Sequence, residues 1–114
     1  DGSLIAAFDR HVEDVQSLSY RVDALASTCQ SLQEDVKLSL RRVGIIRYNP
    51  FSDTGGDQSF ALALLDDQGD GVILSSIFGR NESRLYAKPV RGGKSKYTLS
   101  KEEDQAIIQA SLLR

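Results

Sequence analysis

The chain has 114 residues, 40% of them apolar and 26% charged, with a net charge of −2, a composition typical of an ordinary soluble protein. This excludes a collagen-like, disordered or disulfide-stapled chain, and one cysteine (Cys29) rules out an internal disulfide and a cysteine-cluster metal site. A single histidine (His11) narrows acid/base catalysis to carboxylates, and no apolar run approaches the roughly 18 residues of a membrane span.

The first third carries a heptad register. Leu4, Phe8, His11, Val15, Leu18, Val22, Leu25, Cys29, Leu32, Val36, Ser39 and Val43 recur at alternating intervals of four and three. Such a repeat keeps one seam facing a partner helix, so residues 1–42 are expected to form a coiled-coil stalk of roughly 60 Å. Valine dominates the a positions and leucine the d positions, the combination that suits parallel two-stranded packing. The expected partner is therefore a second copy of the chain, in a parallel homodimer through residues 3–42. Ser3 can cap the helix start, and Gly44 is a stop, or else an early strand residue. The g/e pairs Ala7/Val12, Asp14/Ser19, Arg21/Ala26, Thr28/Gln33 and Asp35/Leu40 contain no ion pair, which leaves trimers and tetramers open.

After Val43 the period shortens to two. The runs Val43–Tyr48, Phe60–Leu64, Val72–Phe78 and Ser83–Lys88 read as strands, with Asp66–Gly71 as a hairpin turn and Pro89 as the end of the fourth strand. Arg91-Gly92-Gly93-Lys94 is a further turn, and Ser95–Leu99 is expected to add a short strand. Ser100 and Glu103 have the spacing of a capping box, followed by an apolar stripe of Ile107, Ile108, Ala110 and Leu112. The expected fold class is α+β: a coiled-coil helix over 1–42, then a small antiparallel meander over 43–114 with a C-terminal helix packed on it.

Candidate chemistry sits in two polar stretches. Asp53 and Asp57 flank Gly55 and Gly56, an arrangement that could hold a hard cation or orient a substrate hydroxyl, although a solvated connection needs the same residues. Arg47 and Asn49 precede that loop. From Arg80 to Lys101 seven basic residues face Glu82 alone, and Arg80, Glu82, Arg84, Tyr86 and Lys88 form a basic and aromatic strip suited to an oxyanion or a single strand of nucleic acid. Internal pairing of these charges is the simpler explanation, so nucleic acid is a secondary reading. Asp66-x-Gln68-x-Asp70-Gly71 begins like a calcium loop but has Ile77 where a bidentate glutamate is needed. No metal ligand set, cofactor fingerprint or nucleophile motif is present, and an enzymatic role is disfavoured.

The segments Arg47-Tyr48-Asn49-Pro50-Phe51, Gly55 to Asp66, Arg80 with Glu82-Ser83-Arg84, Tyr86-Ala87-Lys88-Pro89 and Leu99-Ser100 with Glu102-Glu103 resemble the bacterial domain-of-unknown-function family 4446. The resemblance spans about Val43 to Ile108. It implies a membrane helix, then a coiled coil, then this domain, in a protein found mainly in Gram-positive bacteria and their relatives. The chain starts at Asp1, so the anchor would belong to a missing preceding segment and the present region would be cytoplasmic. The family has no established activity. A non-catalytic binding or scaffold domain for an unknown protein partner is the leading expectation. Phosphate or nucleic-acid binding through 80–101, and a carboxylate-based enzyme at Asp53 and Asp57, are the alternatives.

Overall fold

A computed structural model describes residues 2–50 and 58–113. The order of elements is α1 (Gly2–Leu38), β1 (Arg42–Tyr48), β2 (Ser59–Leu65), β3 (Gly71–Phe78), β4 (Ser83–Val90) and α2 (Lys101–Ser111). This is the α+β arrangement expected from the sequence. Contacts divide the chain into two units, 1–35 and 36–114.

The first unit is helical throughout its described length, and no residue of α1 is buried. Its heptad seam stays exposed from end to end: Leu4 is 71% accessible, Leu25 65% and Val36 47%. The helix is not long and apolar enough to cross a membrane. It begins at Gly2, so Ser3 lies in its first turn and is not its cap. It ends at Leu38, where Ser39 N–H donates to the Val36 carbonyl at 3.1 Å. Ser39 and Val43, the last two heptad positions, thus lie beyond the helix. The run Val43-Gly44-Ile45-Ile46 explains the change, because β-branched residues and glycine disfavour helix and the strand gives them packing partners in β2.

In the second unit the four strands form one antiparallel sheet in the order β1-β2-β3-β4. Residues in register divide between two faces. One face carries Gly44 and Ile46, Ala61, Ala63 and Leu65, Ile73 and Ser75, then Tyr86, Lys88 and Val90. Helix α2 covers part of it through Glu103, Ala106, Ile107 and Ala110, and the core forms there from Ala61, Ala63, Leu65, Ile73, Val90, Ala106, Ile107 and Ala110. The buried stripe of α2 thus follows the i, i+3, i+4, i+7 spacing from Glu103. Ile108 and Leu112, expected in that stripe, point to solvent at 60% and 78% exposure.

Small residues let α2 approach the sheet closely. At Gly44 an added Cβ would overlap the Ala106 carbonyl oxygen, so only glycine fits under the helix. Gln109 Oε1 accepts the Ile45 N–H at 2.6 Å, and the Arg42 guanidinium donates to the Ser111 and Leu113 carbonyls at the C-terminal end of α2, where a cation is favoured. The helix is therefore fastened to the β1 side of the sheet.

Two sequence expectations change at the other side. β4 continues through Pro89 to Val90; as an edge strand it loses no ladder bond to a residue without an N–H. Residues 95–99 form no strand, because the Ser95 hydroxyl accepts the Tyr97 N–H at 3.2 Å and turns the chain toward α2. The Arg91–Lys94 turn is formed as expected, with Gly92 and Gly93 both at positive φ (57° and 76°), the geometry that matches strand twist in a two-residue hairpin.

Candidate functional site

Because α2 lies on β1 and β2 and barely reaches β3, the inward side chains of β3 and β4 beyond its N-terminus are left uncovered. A cleft of about 410 Å³ opens there, walled by Tyr48, Ser75, Ile77, Tyr86, Lys88, Leu99 and Ser100, with Glu103 at its floor. A second depression of about 260 Å³, between Gly79, Glu82 and Arg84, shares Ile77 and Tyr86 with it. Strand alternation explains the grouping, since Arg84, Tyr86 and Lys88 occupy every second position of β4 and pair across to Ile77, Ser75 and Ile73.

Glu103 organises the cleft. It is 3% exposed and makes four hydrogen-bonding contacts. Its Oε1 accepts the Ser100 backbone N–H at 2.8 Å, completing the capping box, and also accepts from Lys88 Nζ at 2.8 Å. Its Oε2 accepts from Ser75 Oγ at 2.7 Å, while the Ser100 hydroxyl accepts the Glu103 N–H at 3.1 Å. Burial is the largest single influence on its acidity and opposes ionisation. The donors Lys88, Ser100 and Ser75 together outweigh it and hold the carboxyl below the usual glutamate range. Lys88 Nζ has a further acceptor, the Thr98 carbonyl at 2.9 Å. The floor is thus an ion pair whose hydrogen-bonding capacity is largely used internally.

The rim is different. Tyr48 is half-buried, and burial followed by the charges of Glu102 and Glu103 raises its phenol pKa, keeping it a neutral donor. Tyr86 is 41% exposed. Arg84 donates through Nη2 to Glu82 Oε1 at 3.0 Å, and the neighbouring Tyr86 together with Glu82 favours its charged form. Two phenols and a guanidinium around an apolar wall of Ile77 and Leu99 suit hydrogen bonding and stacking to a ligand laid across the strands.

Of the residues expected from sequence to form a site, Tyr86 and Lys88 line this cleft, while Glu82 and Arg84 line the adjoining depression that shares Tyr86 with it. Arg47 lies on the opposite face of the sheet, paired in register with Phe60; Asn49 follows β1, and Arg80 sits exposed between β3 and β4. Asp53, Gly55, Gly56 and Asp57 fall outside the described residues. Among the described residues no group of three or more His, Cys, Asp or Glu is placed to hold a metal ion. Several residues of the basic stretch have local partners: Lys88 pairs with Glu103, Arg84 with Glu82, and Lys96 lies 5.5 Å over the Tyr97 ring. Arg91 and Lys94 form the turn beyond the far end of β4. Sequence reading missed Tyr48, Ser75, Ile77 and Leu99, and took Glu103 only as a cap. The register of β3 against β4 places Ser75 and Ile77, the pairing of β1 with β2 sets Tyr48 opposite Ser59, and the spacing of Glu103 from Ala106, Ile107 and Ala110 marks it as inward-facing.

The family model described as protein of unknown function (DUF4446) matches residues 1–111. The chain belongs to this family. The DUF4446 match takes in α1 as well as the sheet, and so extends beyond the Val43–Ile108 stretch that carries the resemblance. No curated protein and no solved structure matches the chain. Membership in DUF4446 brings no reaction with it, so the reading of function rests on the seam of α1 and the cleft.

Proposed function

We propose that this chain is a non-catalytic binding module that self-associates through α1 as a parallel coiled-coil dimer and presents paired copies of the sheet domain. The carrying observation is the apolar a/d seam, which runs from Leu4 to Val36 and stays exposed along the whole helix. Single exposed leucines are ordinary on a protein surface, but a stripe about 48 Å long, at about 1.5 Å per helical residue, calls for a partner. Valine at Val15, Val22 and Val36 with leucine at Leu18, Leu25 and Leu32 favours two parallel strands.

In this reading α1 is a stalk, anchored to a membrane by a preceding segment in the full-length protein as the family's organisation implies. The cleft around Tyr48, Tyr86 and Arg84 is the recognition surface for a protein partner. The ion pair at its floor shapes the cleft and is not a reacting group. Replacing Leu18 and Leu25 with Asp tests the seam, because a charge in each of two successive d layers, on either side of Val22, is incompatible with helix pairing. Light scattering should give two chains per particle for the native sequence and one for the double variant. A native protein of one chain would overturn the reading.

A further inference from the structure

The second face of the sheet is apolar from edge to edge. Its central row is Ile45, Leu62, Leu74 and Ala87, in direct register across all four strands. The neighbouring rows are Val43–Leu64–Val72–Pro89 and Arg47–Phe60–Ser76–Leu85, so Arg47 on the β1 edge is the one ionisable side chain in these three rows. An antiparallel sheet with one solvated face alternates apolar with polar residues, whereas strands apolar on both faces belong to sheets covered on both. Among the described residues of the second unit, the helix covers one face alone. Among the described residues, Ile45 remains 47% exposed on the other face, Val43 45% and Leu85 70%.

We propose that this face packs against the same face of a second copy, so that two four-stranded sheets close a sandwich with the two α2 helices outside. The inference rests on the self-association proposed above. Three observations select a second copy over other occupants. The face has almost no charge, so neither an acidic protein nor nucleic acid finds a complement on it. A lipid surface is usually met by a rim of basic and interfacial aromatic side chains, and these rows offer Arg47 alone. Finally, the size suits a tethered pair. Four strands about 4.8 Å apart and some seven residues long give roughly 450–500 Å² per copy, near the lower bound for a specific interface. Such an area is marginal for free partners. It suffices for domains held together by a coiled coil, where α1 ends at Leu38 and β1 begins at Arg42, because tethering makes the second contact intramolecular.

The test uses the full chain carrying Cys29→Ser and Ile108→Cys, with a spin label on the exposed outer side of α2. Sheets stacked about 10 Å apart, each with a helix outside, should give one narrow label-to-label distance of about 30–45 Å in a two-chain particle. Adding Ile45→Lys and Leu85→Lys, both at exposed edge-strand positions, should broaden that distribution while circular dichroism and the two-chain mass stay unchanged. A broad distribution in the unmodified face with a two-chain mass overturns the sandwich and leaves the coiled coil standing. A one-chain mass removes both. Sedimentation of the protein with phosphatidylglycerol–phosphatidylcholine vesicles, abolished by the same two lysines, would assign the face to lipid and overturn the proposal.

Discussion

Lys88 on β4 donates from Nζ to Oε1 of Glu103 on α2 at 2.8 Å, and the two side chains are 23% and 3% exposed. This pair joins the edge strand that α2 does not cover to the first turn of the helix itself. It fixes the depth of the cleft and caps α2 through the same carboxylate. Truncating Lys88 leaves a buried charge with two donors where it had three. The expected cost of Lys88→Ala is about 2–3 kcal/mol, measured as a shift in urea midpoint at constant slope.

The acidity of Glu103 makes stability depend on pH in a defined direction. Its folded pKa lies below the usual glutamate value because the bonds from Lys88, Ser100 and Ser75 outweigh burial. A group depressed in the folded state stabilises the protein above its unfolded pKa, and that contribution is lost as pH falls through the folded pKa. Stability should therefore decline on acidification below about pH 4.5, the ordinary glutamate range. Glu103→Gln should be less stable at neutral pH and show a flatter decline in a melting series from pH 7 to pH 3. An identical slope in both proteins would mean that Glu103 does not titrate as its partners require.

Arg84 provides the contrast. Its partner Glu82 is as exposed as it is, and exposed pairs contribute little to folding. Arg84→Ala should leave the melting temperature unchanged within error while Lys88→Ala lowers it by several degrees. That difference separates the rim, available for recognition, from the floor, which holds the fold.

Close packing of α2 on β1 depends on Gly44. Gly44→Ala places a methyl group against the Ala106 carbonyl, and the helix must lift to accept it. We expect a loss of about 2 kcal/mol or more. Ile73→Ala, fully buried on β3, should cost about 2–5 kcal/mol by leaving a cavity in the core. Chemical denaturation of both variants checks the two values.

Much of this architecture is legible in the sequence, and the misses have physical causes. All four strands are readable because Phe60 to Leu64 and Val72 to Phe78 are nearly all apolar and bounded by turn residues. The capping box at Ser100 and Glu103 is a local pattern that needs no tertiary context. The heptad pattern overran the helix at Ser39 and Val43 because spacing alone does not register that Gly44 must sit beneath Ala106. Pro89 stops a central strand and not an edge strand, and strand order is a long-range property. The cleft was half visible: alternation on β4 gave Arg84, Tyr86 and Lys88. Ser75 and Glu103 join them only through the pairing of β3 with β4 and the placement of α2, which no local window contains.

On the function proposed, the exposed seam of α1 binds another copy of the chain. Sedimentation velocity of the intact chain at micromolar concentration measures this most directly. The expected particle has two chains of 12.5 kDa each, reduced to one by Leu18→Asp with Leu25→Asp. A single-chain particle for the native sequence would contradict it.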